Sequence, residues 1–361
     1  MSTPIVFLTH TDADREMYYP APALAALRAL AEIRLNVSPV SLHGKALIAA
    51  ASGAQIIVSD RQTPGEAELF EASAQLVAFV RNAVDIRTVD VPAASAHNVL
   101  VTRASPGFTA AVTELILGFM VDLGRGVSRA VLSYRAGTPP PGSMGTQIAG
   151  STVGIIGYGA IGRRLAGVLA AMEAKLLICD PYTKIDLPGA AQVALPELLA
   201  RSDFVVCLAV ATPETENLLD AAAFAAMRPG AFFVNASRGN LVDEAALAAA
   251  LDRGHLAGAA MDVGRAPDQM PSIFLAERAN VIATPHIGGA TPAAVLHQAM
   301  ETTRQVAEIL QGRSPDGSVN AETALRLRRF APPLAAEIGG TDGPEPTRYG
   351  DWQHKGRVTD F

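Results

Sequence analysis

Short runs of Val, Ile, Leu and Ala recur along the chain, and segments with helical spacing separate them. The runs PIVFL, AQIIVSD, QLVAFV and NVLVTR come first, followed by STVGIIGYG, AKLLICD, DFVVCLAV, GAFFVNAS, LAGAAMDV and NVIATP. They are continuously apolar instead of alternating between apolar and polar positions, which is typical of strands covered on both faces. With a helix between successive strands, the pattern predicts parallel α/β sheets.

Three further segments mark the organisation of the chain. Apolar residues recur at helical spacing over 109–125, and a second long helix is predicted over 292–312. The Gly/Pro-rich stretch 136–147 is expected to be an exposed loop or arm. After Ala331 the composition changes to Pro, Gly and charged residues, so we expect 331–361 to form a flexible, extended or disordered tail.

Composition narrows the class of protein. Of 361 residues, 49% are hydrophobic but only 5% aromatic, so aliphatic cores are expected, and the length allows two domains. A net charge of −6 without a long basic block argues against nucleic-acid and anionic-membrane partners. No apolar stretch approaches the roughly 18 residues of a membrane span, and no signal peptide is recognisable. Two cysteines in apolar runs, Cys179 and Cys207, and no Cys/His cluster predict a cytoplasmic protein without disulfides or a metal site.

A glycine motif follows the first strand of the second group. The segment VGIIGYGAIGRRL (153–165) is a predicted strand, then G-x-G-x-x-G at Gly157, Gly159 and Gly162, then a predicted helix. Gly157 would permit a tight turn, Gly159 would let a pyrophosphate approach the backbone, and Gly162 would allow close packing of helix on strand. The N-terminus of the helix offers free N–H groups to phosphates, and Ala160 and Ile161 belong to the same predicted site.

An acidic residue completes this pattern. The next strand, KLLICD, ends in Asp180, 18 residues after Gly162, where a carboxylate would bind the adenosine ribose hydroxyls. Because an acid there repels a 2′-phosphate, NAD is favoured over NADP. The alternative is a strand–helix turn that binds nothing.

Three more stretches carry a resemblance to a known family. VNASRGNLVDEAALAAAL (234–251), TPHIGG (284–289) and ATPETENLLD (211–220) resemble the D-2-hydroxyacid dehydrogenase family, and the resemblance covers about residues 1–325. It implies a doubly wound Rossmann cofactor domain, 102–286, inserted into a flavodoxin-like substrate domain made of 1–101 and 287–330. It also implies a homodimer formed through the cofactor domain, and further cofactor-binding residues at Thr212, Pro213, Ala236 and Asp262.

Arg238 and His286 are the candidate catalytic residues. Arg238 follows the strand end VNAS, and its planar fork can bind a carboxylate and polarise a neighbouring carbonyl. His286 follows another strand end, and an imidazole can donate a proton to a developing alkoxide near neutral pH. The implied reaction is hydride transfer between NADH and a 2-keto acid. A surface salt bridge and a structural histidine are the respective alternatives. The stretch RNAVDIRTVDV (81–91) resembles the family's substrate loop, whose amides hold the substrate carboxylate, which implies Asn82, Ala83 and Val84.

The chain departs from the family pattern in the stretch AMDVGRAPDQMPS. The family places a glutamate, which hydrogen-bonds the catalytic histidine, five residues after the aspartate of its Asp-Val pair, whereas Pro267 stands five residues after Asp262 here. Three outcomes are open: the neighbouring Asp268 substitutes for it, another acid such as Glu277 reaches in, or the histidine works unassisted. We favour Asp268, whose alternative role is that of a solvated loop acid.

A second departure concerns Phe108. It stands where the family often has a polar Asn, which hints at a substrate with a nonpolar side chain, although Phe108 can equally pack in the core.

The end of the chain carries a different resemblance. EIGGTDGPEPTRYGDWQHKGRVTDF (337–361) is similar to the terminal motif of the succinate dehydrogenase assembly factor 4 family, small proteins that bind the flavoprotein subunit. This implies a flavoprotein partner held by Arg348, Tyr349 and Trp352, with a solubilising tail as the alternative. Two other functions stay open for the whole protein: a non-catalytic NAD-binding regulator of the same fold, or a carrier for this tail.

Overall fold

The computed structural model describes residues 3–331, together with a short antiparallel pair formed by Gln353–His354 and Arg357–Val358. The predicted tail anchors Arg348, Tyr349 and Trp352 lie outside the described residues, as does the side chain of Asp268.

The first sheet has five parallel strands. These are β1 Ile5–Leu8, β2 Glu32–Leu35, β3 Ile56–Ser59, β4 Ala78–Arg81 and β5 Leu100–Arg103, in the order β2-β1-β3-β4-β5. The helices among them are α1 Asp12–Tyr18, α2 Ala21–Arg28, α3 Gly44–Ala50, α4 Ala67–Ala72 and α5 Val91–Ala96. The strand β2 was not among the predicted runs, because its sequence EIRL alternates and its side chains are only partly buried.

Two helices, α6 Thr109–Arg125 and α7 Val127–Arg135, lead to a second sheet of seven parallel strands. Its strands are β6 Thr152–Ile156, β7 Lys175–Cys179, β8 Ala190–Gln192, β9 Phe204–Cys207, β10 Phe232–Asn235, β11 Gly258–Met261 and β12 Val281–Ala283, in the order β12-β11-β10-β9-β6-β7-β8. The helices that follow them are α8 Ala160–Ala171, α9 Leu195–Arg201, α10 Ala221–Ala226, α11 Glu244–Asp252, α12 Ile273–Ala276 and α13 Pro292–Ile309. Short 3₁₀ turns occupy Pro213–Thr215, Gly239–Leu241, Pro267–Gln269, Ala321–Thr323 and Leu325–Phe330.

Each sheet is buried on both faces, as the continuous apolar runs predicted. In β1, Val6 and Leu8 belong to one apolar cluster, whereas Phe7 belongs to another. In β6, Ile155 and Ile156 are divided in the same way between the two clusters of the second sheet. Side chains point alternately to the two faces of a strand, so a strand covered on both faces is apolar at most of its positions.

The long helix α13 brings the chain back to the first sheet. Its residues Ala299, Val306 and Ile309 pack in the cluster that contains Val6 and Leu8. The prediction of two parallel-sheet α/β domains is confirmed, while the boundaries 1–101, 102–286 and 287–330 stay a prediction. The helix predicted over 292–312 is slightly shorter than expected. Of the two cysteines, Cys207 is buried and Cys179 only half-buried.

Candidate functional site

A cleft of about 400 Å³ lies where the carboxyl ends of the two sheets face each other. From the first sheet it is lined by residues that follow β1, β3 and β4, and from the second by residues that follow β9, β10, β11 and β12. Parallel strands end at the same edge of a sheet, which is where ligands bind in open α/β folds. The cleft is therefore the candidate active site.

The cleft brings together most of the predicted chemical residues. Asn82, Ala83, Val84, Arg238 and His286 all line it, together with the predicted cofactor residues Ile161, Ala236 and Asp262. The remaining predicted cofactor residues belong to the second sheet and the turns after β6, β7 and β9: Gly157, Gly159, Ala160, Gly162, Asp180, Thr212 and Pro213. Phe108 also lines the cleft while packing against the apolar core of the second sheet, so it serves both alternatives.

The glycine turn has the geometry that its spacing predicted. Gly157 has φ +99°, and a Cβ there would lie 2.6 Å from the Leu208 carbonyl oxygen. A Cβ on Gly162 would lie 2.3 Å from the Gly157 carbonyl oxygen, so helix and turn pack with no room for a side chain. Gly159 caps α8, and nothing lies within 4 Å of its missing Cβ. That open space at a helix N-terminus suits a pyrophosphate.

Asp180 is held at this turn by backbone amides. Its carboxylate accepts hydrogen bonds from the N–H groups of Tyr158 (2.7 Å), Tyr182 (2.9 Å) and Thr183 (2.9 Å). Burial opposes ionisation, but these hydrogen bonds outweigh it and lower the pKa of Asp180. A carboxylate that stays charged at the end of the strand after the glycine turn is the acceptor that the ribose hydroxyls of a dinucleotide require. The residues present therefore fit an NAD adenosine.

Arg238 is oriented by the turn after β10. The buried Asn235 accepts a bond from the Ser237 N–H (3.1 Å) and donates to the Arg238 carbonyl (3.0 Å). The guanidinium donates to the Ser237 carbonyl (2.7 Å), and its Nη2 lies 3.9 Å from Oδ2 of Asp85. Burial lowers the pKa of Arg238; Asp85 opposes this, and the charges of Arg87 and Arg61 add to it. An arginine nevertheless stays protonated in a protein, so Arg238 offers a fixed cation to an acid.

The loop that carries His286 is held by Asp262. One oxygen of this buried carboxylate accepts bonds from the Thr284 hydroxyl (2.7 Å) and the Ile287 N–H (2.8 Å), and the other from the Gly288 N–H (2.8 Å). Within this loop His286 adopts φ +56°, a left-handed conformation that is uncommon for a residue with a side chain. Such conformations persist where surrounding contacts impose them. Asp262 thus determines how the imidazole is presented to the cleft.

The loop with the missing glutamate is tight. The N–H of Gly264 donates to the Gln269 carbonyl (2.8 Å), and that of Ala266 to the Met270 carbonyl (3.1 Å). Pro267 begins the 3₁₀ turn Pro267–Gln269 at its tip. Asp268 is the second residue of this turn, and its predicted catalytic role stays a prediction.

Several cleft residues come from the first sheet and were not predicted. His10, Asp60, Arg61 and Asp85 line the cleft and follow β1, β3 and β4. The same rule that identified Arg238, a polar residue after a strand end, would have found His10, Asp60 and Arg61 in FLTHTD and IIVSDR. Their contacts with one another bring together residues far apart in the sequence.

Both the backbone N–H and the side chain of Asn82 form hydrogen bonds within the protein. Its N–H donates to the Ser59 carbonyl (2.9 Å), and its Nδ2 donates to the Tyr18 carbonyl (3.1 Å) and contacts Nε2 of His10 (3.3 Å). Burial lowers the pKa of His10 to about 4, so this imidazole is neutral at neutral pH. Of the three predicted substrate-loop residues, Ala83 and Val84 are therefore the better candidates for offering backbone amides to a carboxylate.

Comparison with known families agrees with this geometry. Residues 117–288 match the family model described as D-isomer specific 2-hydroxyacid dehydrogenase, NAD binding domain. They include the glycine turn, Asp180, Arg238 and His286. This part of the chain is therefore similar to the NAD-binding domain of the D-isomer specific 2-hydroxyacid dehydrogenases. The match confirms the prediction of NAD as the cofactor.

Curated proteins similar to this chain are longer than it is. A D-3-phosphoglycerate dehydrogenase of Mycobacterium bovis is 34% identical over 337 residues, which cover 92% of this chain and 62% of the relative. A D-3-phosphoglycerate dehydrogenase of Synechocystis sp. is 35% identical over 257 residues, or 70% of this chain and 46% of the relative. The chain thus spans about half to three fifths of the length of such relatives.

Solved structures share the fold of most of the chain. The TT0316 protein from Thermus thermophilus is similar with a TM-score of 0.78 and 29% identity, covering 87% of this chain and 99% of that one. The apo-structure of D-lactate dehydrogenase from Escherichia coli has a TM-score of 0.74 at 24% identity over 88% of this chain and 99% of its own, which shows the fold alone.

The end of the chain matches a different family. Residues 318–361 match a model described as a protein of unknown function (DUF1674), so the resemblance to an assembly factor is not established by this match. Within the described part of the chain, no helix has the length and apolar character needed to cross a bilayer.

Proposed function

We propose that the protein is an NAD-dependent dehydrogenase that interconverts a D-2-hydroxy acid and a 2-keto acid. The observation that carries the proposal is that one cleft is lined by Arg238, His286 and the substrate-loop residues Ala83 and Val84, beside the NAD-binding turn. A cation for the carboxylate and an acid for the carbonyl oxygen are the two groups that this reduction needs.

The glycine turn and Asp180 would hold NADH, which when bound would supply a hydride for the carbonyl carbon. Arg238 binds the substrate carboxylate with part of its guanidinium and polarises the adjacent carbonyl with another N–H group. His286 donates a proton to the oxygen as negative charge develops there, and it takes the proton back when the hydroxy acid is oxidised. Phe108, Val112 and Leu208 form an apolar wall of the cleft and exclude water from the reacting atoms.

We further propose that Asp268 takes the place of the family's glutamate as the partner of His286. The tight turn at Pro267–Gln269 puts an acid one residue beyond the expected position. A carboxylate partner stabilises the protonated imidazole, so Asp268→Asn should make keto-acid reduction decline at a lower pH than in the wild type. The pH–rate profile tests this. Superimposable profiles of wild type and Asp268→Asn would remove Asp268 from the mechanism, and a shifted profile of Glu277→Gln would assign the role to Glu277 instead.

Two substrate classes fit the cleft. The curated relatives are named as D-3-phosphoglycerate dehydrogenases, and Arg61 adds a second cation to the lining, which favours a phosphorylated acid. Phe108, Met17 and Tyr18 line the cleft with apolar and aromatic surface, which favours an acid with a nonpolar side chain.

The decisive experiment is to screen 2-keto acids for oxidation of NADH by the purified full chain. The panel contains glyoxylate, hydroxypyruvate, pyruvate, longer aliphatic keto acids and 3-phosphohydroxypyruvate. We expect turnover with at least one of them, and its loss in His286→Gln. Binding of NADH without turnover of any acid would favour the non-catalytic regulator.

A homodimer formed through α6 and α7 is part of the same proposal. Helix α7 exposes Val127, Val131, Leu132 and Tyr134, with Leu132 and Tyr134 each about two thirds exposed (64% and 65%). Such a patch suits a protein–protein interface. Gel filtration that gives a monomer would contradict it.

For the tail we propose binding to a flavoprotein subunit of a succinate dehydrogenase, which rests on the sequence resemblance of 337–361 alone. We expect the full chain to retain such a subunit in a pull-down. The variant Trp352→Ala should lose it, and the control variant Phe274→Ala should keep it. Equal retention by both variants would contradict an anchoring role of Trp352.

A further inference from the structure

Asp85 is a carboxylate inside the predicted substrate loop, and it faces the catalytic arginine. Its Oδ2 lies 3.9 Å from Nη2 of Arg238, and Asp85 itself lines the cleft. The guanidinium of Arg87 also binds the Asp85 carboxylate, with Nε donating to Oδ1 (3.0 Å) and Nη2 donating to Oδ2 (2.7 Å). The position of Asp85 beside Arg238 is therefore imposed by a bidentate ion pair.

The charge of Asp85 is present at all working pH values. Burial opposes its ionisation, but hydrogen bonds from Arg87 and the charges of Arg87 and Arg238 outweigh this and lower its pKa to about 2. An acid that binds to Arg238 must place its carboxylate within a few ångströms of this fixed negative charge.

We propose that Asp85 is a specificity-determining residue that selects singly charged 2-keto acids over those that carry further negative charge. This inference rests on the proposed function, because it assumes that Arg238 holds the substrate carboxylate. Repulsion between fixed charges grows in proportion to the charge of the ligand, and an internal anion is a means of rejecting the wrong partner. Among the two substrate classes above, Asp85 therefore favours an acid with an uncharged side chain.

Oxamate and oxalate are matched probes of this effect, since they have nearly the same shape and carry one and two negative charges. Their binding to the protein with NADH present is measured by titration calorimetry, for wild type and Asp85→Asn. The control is Asp252→Asn. Arg278 donates two hydrogen bonds to the Asp252 carboxylate in the same bidentate way (2.8 and 2.9 Å), but Asp252 does not line the cleft.

We expect Asp85→Asn to lower the Kd of oxamate about threefold and that of oxalate about tenfold, because the electrostatic free energy of binding scales with ligand charge. Asp252→Asn should change neither. Arg87→Gln should act in the opposite direction and weaken the binding of oxalate more than that of oxamate, since it removes the bidentate partner of Asp85. This variant still tests the proposal if Asp85→Asn does not fold. Weaker binding of both ligands to Asp85→Asn, or equal changes for both, would overturn the proposal.

A kinetic measurement separates this inference from the proposed function. In the variant Asp85→Asn, kcat/KM for 3-phosphohydroxypyruvate should rise relative to that for pyruvate. If the wild type reduces no keto acid, the proposed function fails while the oxamate and oxalate titrations still report on Asp85. If turnover is found and the charge preference does not move, the specificity role of Asp85 fails alone.

Discussion

At the scale of single residues, three aspartates at strand ends have three different roles. Asp180 is held by backbone amides at the glycine turn, Asp262 holds the loop of His286, and Asp85 is paired with Arg87 beside Arg238. In the sequence all three are simply acids near the end of an apolar run. Their partners, not their positions in the pattern, give each its chemistry.

Replacement of the substrate-binding arginine by lysine tests the geometry of its fork. Arg238→Lys keeps the charge but loses bidentate contact, so we expect kcat/KM for the best keto acid to fall by roughly 100-fold or more. Steady-state kinetics measures it, with Arg278→Lys as a matched control far from the cleft. A fall of less than about fivefold would show that charge alone suffices at this position.

His10 should make the protein less stable in mild acid. Its pKa is lowered by burial from 6.5 to about 4, so the unfolded chain takes up a proton that the folded chain refuses. Stability that is complete above pH 6.5 is then lost as the pH falls towards 4, by roughly 3 kcal/mol in total. Denaturant unfolding at a series of pH values measures this loss.

The variant His10→Gln should lose this part of the pH dependence, whereas replacing the exposed His43 by Gln should not. Asp60 and Asp14 act on His10 in the opposite direction to burial, and Arg15 and Arg81 act with it. Identical pH dependence in wild type and His10→Gln would contradict the assignment.

At the scale of elements, the loops after β3 and β4 form one wall of the cleft and are joined by Arg81. This side chain is fully buried at the end of β4. Its Nη1 donates to the carbonyls of Asp60 and Thr63, and its Nη2 donates to the Thr88 hydroxyl (2.6 Å). One guanidinium thus sets the spacing of the loop with Arg61 and the loop with Asp85.

Loss of this link should affect both stability and substrate binding. Arg81→Met leaves buried carbonyls without donors, so we expect a loss of about 3 kcal/mol in the free energy of unfolding. KM for the keto acid should also rise more than kcat falls, because the two loops carry residues proposed to bind substrate and none of those proposed to bind the cofactor. Arg326→Met is the control, since Arg326 also donates to two carbonyls (both 2.8 Å) but outside the cleft. If both variants changed KM equally, the effect would be one of stability only.

The elements themselves were largely predictable from the sequence. The apolar runs located ten of the strands, because a strand buried on both faces is apolar at most of its positions. The edge strands β2 and β8 were not predicted, since the polar residues Glu32, Arg34 and Gln192 interrupt their apolar sequences. The glycine motif was readable because φ +99° at Gly157 and the packing at Gly162 allow no side chain.

At the scale of the whole molecule, the cleft is assembled from residues between His10 and Gln298. The match to a family of unknown function begins at residue 318 and runs to the end of the chain. The residues proposed for chemistry and those proposed for binding a flavoprotein thus occupy separate parts of the sequence.

Removal of residues 332–361 should therefore leave keto-acid reduction within about twofold of the full chain, since no catalytic group is lost. Steady-state kinetics and thermal unfolding of both forms measure the effect, and the flavoprotein pull-down should fail with the shortened chain. A large fall in kcat would show that the tail contributes to the dehydrogenase.

The sequence by itself determined the parallel α/β architecture, the NAD-binding turn and the identity of Arg238 and His286 as candidates. These follow from local rules, namely the apolar runs of buried strands, glycines where a Cβ cannot fit, and motifs of fixed spacing. Only the tertiary structure decided that Asp85 lies beside Arg238, that Arg81 joins two loops and that His10 is buried against Asn82. The physical reason is that parallel strands bring their carboxyl ends to one edge, so contacts there join residues whose separation in the sequence carries no periodic signal.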